Sequence, residues 1–467
     1  MEATTGVGPL VGRPAERRGS SRRQPDVLAR AAARHAADWP RTTRLLPWAL
    51  FGFMAMIWLV PFDSVLLPVG GPIDITLDRP ALVVLVGIWL LGAEGAGLRH
   101  KVRTIRSPIH WAFAIFIAVA IVSVLLRGEL LVRVGDLELA VRALALLVSY
   151  GVFFALAAAI IRPAEVPKMV TAILVMASIT ALAVVLEYRF GFNPFHDWIG
   201  PLFPGYIRPA DLGATDSIGR RLMYGPTVQP LAVAVMISLA LPFAVSWMLR
   251  SEERRQRWLY GAMVVLLVAG ALATQKKTSM VGPLVAVLVL IAYRPRQMLR
   301  LAPLAVALIA VAHFAAPGAL GSVIDQFNPG AVDQVNTTKD RVSDYEAIKP
   351  DIAAHPVFGR GYGSYEQKEH RILDNEYLGL VIGVGLVGVL AYLAVFATSF
   401  LSAHRVIRFG DPDRAPPALG AAAAITVALV TSAVLDFLSF PQLPYIFCFV
   451  AAISYVLGRE RLEREIS

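Results

Sequence analysis

The sequence predicts an all-α polytopic membrane protein with about twelve transmembrane helices. The chain of 467 residues is 56% hydrophobic and 17% charged, whereas about a quarter of the residues in soluble globular proteins are charged. Its mean hydropathy is +0.60. The charged residues lie between long apolar stretches, and repeated stretches of roughly 20 apolar residues are typical of membrane-spanning helices.

Twelve apolar stretches are the predicted spans. In chain order they are residues 45–61, 81–91, 108–126, 140–161, 169–188, 227–249, 258–273, 279–293, 301–316, 377–400, 418–435 and 444–457. Together they form one transmembrane domain over residues 45–458, with a tail at residues 1–44 before it and a short tail at residues 459–467 after it. The single cysteine, Cys448, lies in an apolar run and is expected to be a packing residue.

The distribution of Lys and Arg predicts that both termini lie in the cytoplasm. The tail of residues 1–44 contains nine Arg and no apolar run, which indicates a solvated, disordered segment. With this tail inside, the cytoplasmic segments hold 28 of the 44 Lys and Arg residues, in line with the excess of positive charge on that side of membrane proteins. The same rule accounts for the net charge of +10 without a nucleic-acid partner.

Two long external loops follow from this topology, at residues 189–226 and 317–376, the second between spans nine and ten. Loops of this length in a compact protein are usually functional or disordered. In the second loop, Val342, Tyr345 and Ile348 recur at a spacing of three and predict a short helix. Thr338 is its predicted N-cap, and Pro350 is expected to end or kink it. Three glycines, at 359, 361 and 363, then predict a tight turn.

Cationic residues on the external side are the first candidates for a binding site. They are Arg220, Arg221, Lys276, Lys277, Arg341 and Arg360. They lie near helix ends, where an ammonium or guanidinium group can hold a phosphate. As an alternative, the two lysines form a solvated turn that contacts lipid phosphates, and the arginine pair is only surface charge. The clusters together favour a polyanionic ligand near the outer leaflet.

Carboxylates at the outer ends of the later spans are the candidates for proton transfer. Asp374 precedes the tenth span and is either a general base towards a hydroxyl or a helix N-cap, a role that Asn375 fits equally well. Asp436 is expected to be a hydrogen-bonded structural carboxylate. No set of residues has metal-ligand spacing, the segment "GRGYG" lacks the context of a nucleotide-binding loop, and no cofactor is predicted.

The second external loop and the tenth span resemble the signature of the O-antigen ligase and polymerase superfamily. The segment "DRVSDYEAIKPDIAAHPVFGRGYGSY" is followed by "LDNEYLGLVIGVGLVGVLAYL". The matching positions are Arg341, His355, Pro356, Gly359, Gly361, Gly363 and Asn375. Upstream, "RRLMYGPTVQPLA" resembles the family's Arg–Gly–Pro approach to the sixth span. The turn "ATQKKTSM" resembles the family's Thr-x-Ser-Arg turn, with Lys277 where Arg is usual.

The resemblance implies a metal-independent glycosyltransferase in the cytoplasmic (inner) membrane, with its active site on the external face. Its donor would be a glycan on a polyprenyl diphosphate, and its acceptor a glycan or a lipid-linked glycan. Arg220 or Arg221, Lys277 and Arg341 would hold the diphosphate. Lys276, Arg360 and Asn375 are further candidates for binding the diphosphate or the glycan. Ligases of this family usually carry His at the position of Asp374, so the resemblance favours polymerisation of repeat units over ligation.

Two other functions are compatible with a protein of twelve spans. Many transporters have two related halves, with ionisable residues near mid-membrane. This sequence has no evident halves and few charges deep in any span, which favours the glycosyltransferase. A flippase for lipid-linked glycans would bind the same polyanionic ligand, and cationic residues lining a cavity between the spans would favour it.

Overall fold

The structure is a computed structural model. It describes residues 45–67, 75–95, 107–215, 219, 221–274, 278–301, 303, 346, 348–365 and 373–466. The predicted tail at residues 1–44, the predicted ninth span at residues 301–316 for the most part, and most of the second loop lie outside the described residues.

The described part of the chain is almost entirely helical. Its α-helices are α1 (Leu45–Leu59), α2 (Asp78–Gly95), α3 (Pro108–Leu126), α4 (Gly128–Val134), α5 (Leu137–Ile160), α6 (Val166–Phe190), α7 (Pro230–Arg250), α8 (Arg254–Ala273), α9 (Thr278–Tyr293), α10 (Pro295–Leu299), α11 (Glu376–Phe409), α12 (Ala415–Thr431) and α13 (Gln442–Ile466). Two short strands, β1 (Leu66–Leu67) and β2 (Ile75–Thr76), pair antiparallel, with Leu66 opposite Thr76. The all-α class is therefore confirmed.

The lengths and apolar compositions of the helices are typical of a membrane protein. Among the described residues, seven helical segments are long and apolar enough to cross a membrane: Pro108–Leu126, Leu137–Ile160, Pro163–Phe190, Pro230–Arg250, Arg254–Ala273, Glu376–Phe409 and Gln442–Arg459. Leu45–Leu59, Met280–Tyr293 and Ala415–Thr431 are shorter apolar helices. Every predicted span other than the ninth coincides with a helix. The total of twelve and the sides on which the loops lie remain predictions.

Helix α7 lies in the centre of the helices. Its residues from Ala232 to Met248 are buried on all sides, which is typical of a helix that is apolar all round. Small residues on its neighbours allow close packing. A methyl group at Gly420 of α12 would lie 2.5 Å from Cδ1 of Phe243, and one at Gly282 of α9 would lie 2.5 Å from Cβ of Ser238. Substitutions at these glycines would therefore push the helices apart.

Two helix ends differ from the predictions. Helical residues 348–354 continue past Pro350, and the N–H of His355 still donates to the carbonyl oxygen of Asp351 at 3.2 Å. Of the two outcomes expected at Pro350, an end of the helix is therefore wrong, because the residues after the proline still form helical hydrogen bonds. At the C-terminus, α13 continues through Ile466, beyond the predicted end of the last span at residue 457.

Candidate functional site

The structure describes half of the predicted site residues. Those described are Arg221, Arg360, Asp374 and Asn375. The other four, Arg220, Lys276, Lys277 and Arg341, lie outside the described residues. The described residues fall into two regions: the start of α11 with the glycine turn, and the segment that leads into α7.

The glycine turn lies against a break in α11. We call residues 355–363 the docking turn. Helix α11 is interrupted at Gly385, whose φ of 68° and ψ of −170° are non-helical. A break leaves backbone groups without helical partners, and the docking turn supplies them. Carbonyl oxygens before the break accept hydrogen bonds from the turn: Ile382 from the N–H of Arg360 at 2.8 Å, and Gly383 from the N–H of Gly361 at 3.0 Å.

The second half of α11 binds the same turn. The N–H of Leu386 donates to the carbonyl oxygen of Pro356 at 2.9 Å, and the N–H of Val387 donates to that of Val357 at 3.3 Å. One turn thus forms hydrogen bonds with backbone groups on both sides of the break. Gly383 lies eight residues after Asn375, or about 12 Å along the helix at 1.5 Å per residue. Irregular backbone at such a position is tolerated where protein surrounds it.

The docking turn needs its glycines. Gly359, Gly361 and Gly363 have φ of 66°, 123° and 71°, in the region that side chains disfavour. A methyl group at Gly359 would overlap the carbonyl group of Gly383 and lie 2.5 Å from the carbonyl oxygen of Ile382. The tight turn predicted from the three glycines is therefore confirmed, and its backbone contacts that of α11 directly.

Residues in and just after helix α3 form hydrogen bonds with both the docking turn and α11. Nε of Arg127, which follows α3, donates to the carbonyl oxygen of Gly359 at 3.2 Å. Ser123 within α3 donates from Oγ to the carbonyl oxygen of Gly383 at 2.8 Å. The turn, the break in α11 and the end of α3 therefore form one connected backbone structure.

Arg360 takes part in this structure through an ion pair. Its Nη2 lies 3.2 Å from Oδ2 of Asp136, and the side chains are 14% and 7% exposed. Asp136 precedes α5 and was not among the predicted residues, because 224 residues separate it from Arg360. A phosphate at Arg360 would have to compete with this carboxylate.

The start of α11 separates the roles of Asp374 and Asn375. Oδ1 of Asn375 accepts hydrogen bonds from the N–H groups of Tyr377 at 3.0 Å and Leu378 at 3.4 Å, so Asn375 is the N-cap. Asp374 lies one residue before the cap and is exposed. Of the two residues considered for the cap, Asn375 therefore holds it.

Glu376 is a buried carboxyl group that the sequence reasoning missed. Its Oε2 accepts a hydrogen bond from the N–H of Leu438 at 2.8 Å, and its own N–H donates to the carbonyl oxygen of Ser432 at 2.9 Å. Its side chain is also hydrogen-bonded to that of Asp436. Glu376 therefore attaches the start of α11 to the connection between α12 and α13. The signal that could have identified Glu376 was its position, since it is a carboxylate in the first turn of α11.

The segment that leads into α7 is held by buried side chains. We call residues 224–228 the strap. Glu187, near the end of α6, accepts hydrogen bonds from the N–H of Tyr224 at Oε1, 3.1 Å away, and from the N–H of Gly225 at Oε2, 2.9 Å away. Nδ2 of Asn193 donates to the carbonyl oxygen of Gly225 at 2.9 Å. The Arg–Gly–Pro approach therefore has a fixed backbone just after Arg221.

Two titratable residues hold the other end of the strap. Nε2 of His196 lies 3.2 Å from the carbonyl oxygen of Thr227, and burial lowers the pKa of His196 to about 4. Oδ2 of Asp63 accepts hydrogen bonds from the N–H of Val228 at 3.2 Å and from Nε2 of Gln442 at 2.7 Å. Burial raises the pKa of Asp63 to about 6. At neutral pH the strap is therefore held by a neutral imidazole and a charged carboxylate.

Arg221 lies three residues before the strap. Its backbone pairs with Thr215 in an isolated antiparallel bridge, and its side chain is exposed. The structure thus provides an accessible guanidinium group on a fixed backbone, which can bind an anion. Within the described residues, no group of three or more His, Cys, Asp or Glu side chains is placed to hold a metal ion.

Comparison with known proteins gives one family match. Residues 262–393 match the family described as O-antigen ligase. The matched region starts within α8, includes the docking turn and ends within α11, and Arg220 and Arg221 lie before it. No curated protein matched the chain. The match covers this part of the chain, and it confirms the resemblance to the O-antigen ligase and polymerase superfamily that the motifs predicted.

Proposed function

We propose that the protein transfers a glycan from a polyprenyl-diphosphate carrier to an acceptor hydroxyl at the external face of the cytoplasmic membrane. Glycan processing of the O-antigen ligase or polymerase type is supported by the family match at residues 262–393, which is the observation that carries the proposal. The match includes the docking turn and the start of α11, where an exposed carboxylate lies beside a helix N-terminus.

The reaction is a displacement at the anomeric carbon of the donor. The acceptor oxygen forms a bond to this carbon, the bond from the carbon to the diphosphate oxygen breaks, and the acceptor proton passes to a carboxylate. The diphosphate leaves with the bonding electrons. Its growing negative charge is the main feature that a site must stabilise, and fixed cations do this best where water is excluded.

We assign the diphosphate to the cations predicted from the sequence and the proton to Asp374. The cations are Arg220, Arg221, Lys276, Lys277 and Arg341. Arg221 has the exposure and the fixed backbone that this role requires. Asp374 is exposed and is not needed as a cap, because Asn375 fills that position. An exposed carboxylate in this position can accept a proton from a hydroxyl.

Arg360 receives a different role from the other cations. The sequence pattern predicts that it binds substrate, yet its guanidinium is paired with Asp136 and mostly buried. Breaking such a pair leaves an uncompensated buried charge. Arg360 in this proposal therefore holds the docking turn and acts on the substrate only through it.

Within this class, polymerisation of repeat units is the activity we favour. Ligases of the superfamily usually carry His where this chain has Asp374. The cations alone balance the charge of the diphosphate in this mechanism, so no step requires a metal ion. The donor type, the acceptor and the external face are parts of the proposal.

The broken helix distinguishes this proposal from a transporter. Broken helices in transporters expose half-helix ends that bind ions or substrate. Here the groups on both sides of the break in α11 form hydrogen bonds with the docking turn. The break is therefore occupied by the protein's own backbone, and this arrangement favours a fixed scaffold for a loop.

The test is glycan transfer by the purified protein in proteoliposomes that contain a lipid-linked oligosaccharide. We expect longer glycans, with product formation unchanged by a metal chelator. Asp374→Asn and Arg221→Ala should lower turnover at least 100-fold, a range typical of general bases and charge-stabilising groups. Asp411→Asn and Arg296→Ala, exposed residues of the same types elsewhere, are the matched controls. Equal turnover in the test and control variants would contradict the assigned roles.

A further inference from the structure

The end of α6 carries a glycine beneath the side chain of Arg221. Gly191 is the C-cap of α6, with a φ of 69°, and its N–H donates to the carbonyl oxygen of Glu187 at 2.8 Å. This left-handed position is common for glycine at the ends of helices. The local backbone alone explains why a glycine is favoured here, but the space above Gly191 adds a second reason.

The guanidinium group of Arg221 occupies the space where a side chain at position 191 would lie. A methyl group built on Gly191 would overlap Nη1 of Arg221 and lie 2.8 Å from its Cζ and 3.2 Å from its Nη2. No other atoms are nearer to that methyl group. Substitution at Gly191 would therefore displace one functional group, the guanidinium, without a collision against the backbone of another element.

The main chain that follows Arg221 is held in place. The N–H of Leu222 donates to the carbonyl oxygen of Ala214 at 2.9 Å. Glu187 and Asn193 then bind the backbone of the strap at Tyr224 and Gly225. Since Glu187, Gly191 and Asn193 are close in sequence, a single helix end fixes both the backbone near Arg221 and the place of its guanidinium.

The electrostatics of this position suit a cation. The C-terminus of a helix carries a partial negative charge, and cationic side chains near it are stabilised. The side chain of Arg221 also remains exposed. The end of α6 thus orders the guanidinium before a ligand binds, and this reduces the side-chain entropy of Arg221 that is lost on binding.

We propose that Gly191 is a positioning residue for the diphosphate of the lipid-linked donor, because its lack of a side chain lets the guanidinium of Arg221 rest over the end of α6. This inference rests on the proposed function, in which Arg221 contacts the diphosphate. It adds a residue outside the matched family region and gives a reason for glycine there beyond backbone conformation.

Gly191→Ala compared with Gly135→Ala separates the two reasons for glycine. Gly135 caps α4 with a φ of 93°, and a methyl group there would meet nothing within 4 Å. Both substitutions impose the left-handed strain, but only Gly191→Ala displaces Arg221. We expect the KM for the lipid-linked donor to rise about 10- to 100-fold in Gly191→Ala, since misplacing a binding group by about 1 Å has effects of this size. We expect less than a 3-fold change in Gly135→Ala.

Gly191→Asn keeps the experiment decisive if Gly191→Ala does not fold. Asparagine tolerates the left-handed conformation better than alanine, yet it still carries a Cβ beneath Arg221. We expect the same rise in KM as in Gly191→Ala, with a melting temperature closer to that of the wild type. A wild-type KM in a folded Gly191→Asn protein would overturn the inference.

A double-mutant cycle with Arg221→Ala tests whether the effect passes through the guanidinium. In the Arg221→Ala background, the space over Gly191 is empty, and we expect Gly191→Ala to change the KM less than 2-fold. An equal rise in both backgrounds would overturn the inference. If Arg221→Ala itself leaves the KM and kcat unchanged, the role of Arg221 in the proposed function fails. If only Gly191→Ala lacks an effect, the proposed function stands and the inference fails.

Discussion

Gly359→Ala should be among the most destabilising single-methyl substitutions in the described structure. A methyl group at this position would overlap the carbonyl group of Gly383, so the docking turn would have to move away from α11. The movement would break the hydrogen bonds from Arg360 to Ile382 and from Gly361 to Gly383. Each buried group left unpaired costs about 1–3 kcal/mol.

The expected loss of stability has two parts. The left-handed backbone of Gly359, with a φ of 66°, costs a residue with a side chain about 1–2 kcal/mol. With two lost hydrogen bonds, the total is roughly 3–8 kcal/mol. Gly213→Ala is the control, because Gly213 has a φ of 86° and a methyl group there would meet nothing within 4 Å. Gly213→Ala should lose only the stability that corresponds to the left-handed backbone, about 1–2 kcal/mol.

Unfolding of both variants by sodium dodecyl sulfate in mixed micelles would measure the difference. We expect Gly359→Ala to unfold at a much lower detergent fraction than Gly213→Ala. Hydrogen exchange at Leu386 and Val387 provides a local measure, since their N–H groups donate to the docking turn. If the two variants unfold at the same detergent fraction, the docking of the turn against α11 is not a stabilising contact and the reasoning is refuted.

Three further predictions concern the supports of the site. Between about pH 4 and 6, the contributions of Asp63 and His196 to the free energy of unfolding should change with pH in opposite directions. Because the pKa of Asp63 is raised, the folded state binds more protons than the unfolded state, and the stability that Asp63 contributes falls as the pH rises. The lowered pKa of His196 makes its contribution fall as the pH falls from 6.5 towards 4. The melting temperature of Asp63→Asn should therefore fall furthest below that of the wild type at the acid end of this range. The melting temperature of His196→Asn should fall furthest below it at the neutral end. Curves of melting temperature against pH that run parallel to the wild-type curve would contradict this. Arg360→Ala should cost about 3–5 kcal/mol in detergent unfolding because it leaves Asp136 buried without its partner; adding Asp136→Asn should restore part of it, and simple additivity would argue against the pair. Asn375→Ala should cost about 1 kcal/mol through the lost cap, whereas Asn375→Asp should keep most of it, and equal losses would exclude the capping role.

The sequence predicted the positions of the apolar helices well because one quantity, the length of an apolar stretch, determines them. The stretch 108–126 coincides with α3 residue for residue. The break at Gly385 was not predictable in this way, because "LVIGVGLVGVL" is apolar throughout. Glycine is frequent in membrane helices, and the break depends on hydrogen bonds from residues more than twenty positions earlier. Local patterns do not contain that information.

The candidate site was predictable only in part, for a similar reason. Residue type allowed either Asp374 or Asn375 to cap α11, and only the backbone geometry assigned the cap to Asn375. Glu187 has a charged side chain at the end of an apolar span, which is a signal of function or pairing, but its partners lie 37 and 38 residues away. The glycine turn was predicted because its special backbone conformations restrict the residue type at each position.

The docking turn also has a consequence for the order in which the protein is made. Residues 355–363 are synthesised before α11, so the partners for the break exist before the broken helix does. Backbone groups without partners are costly in lipid, and the docking turn pairs with backbone groups on both sides of the break in α11. Assembly from the N-terminus therefore allows α3 and the turn to receive α11 as it enters the membrane, and a chain in which the turn followed the helix would leave the break exposed during insertion.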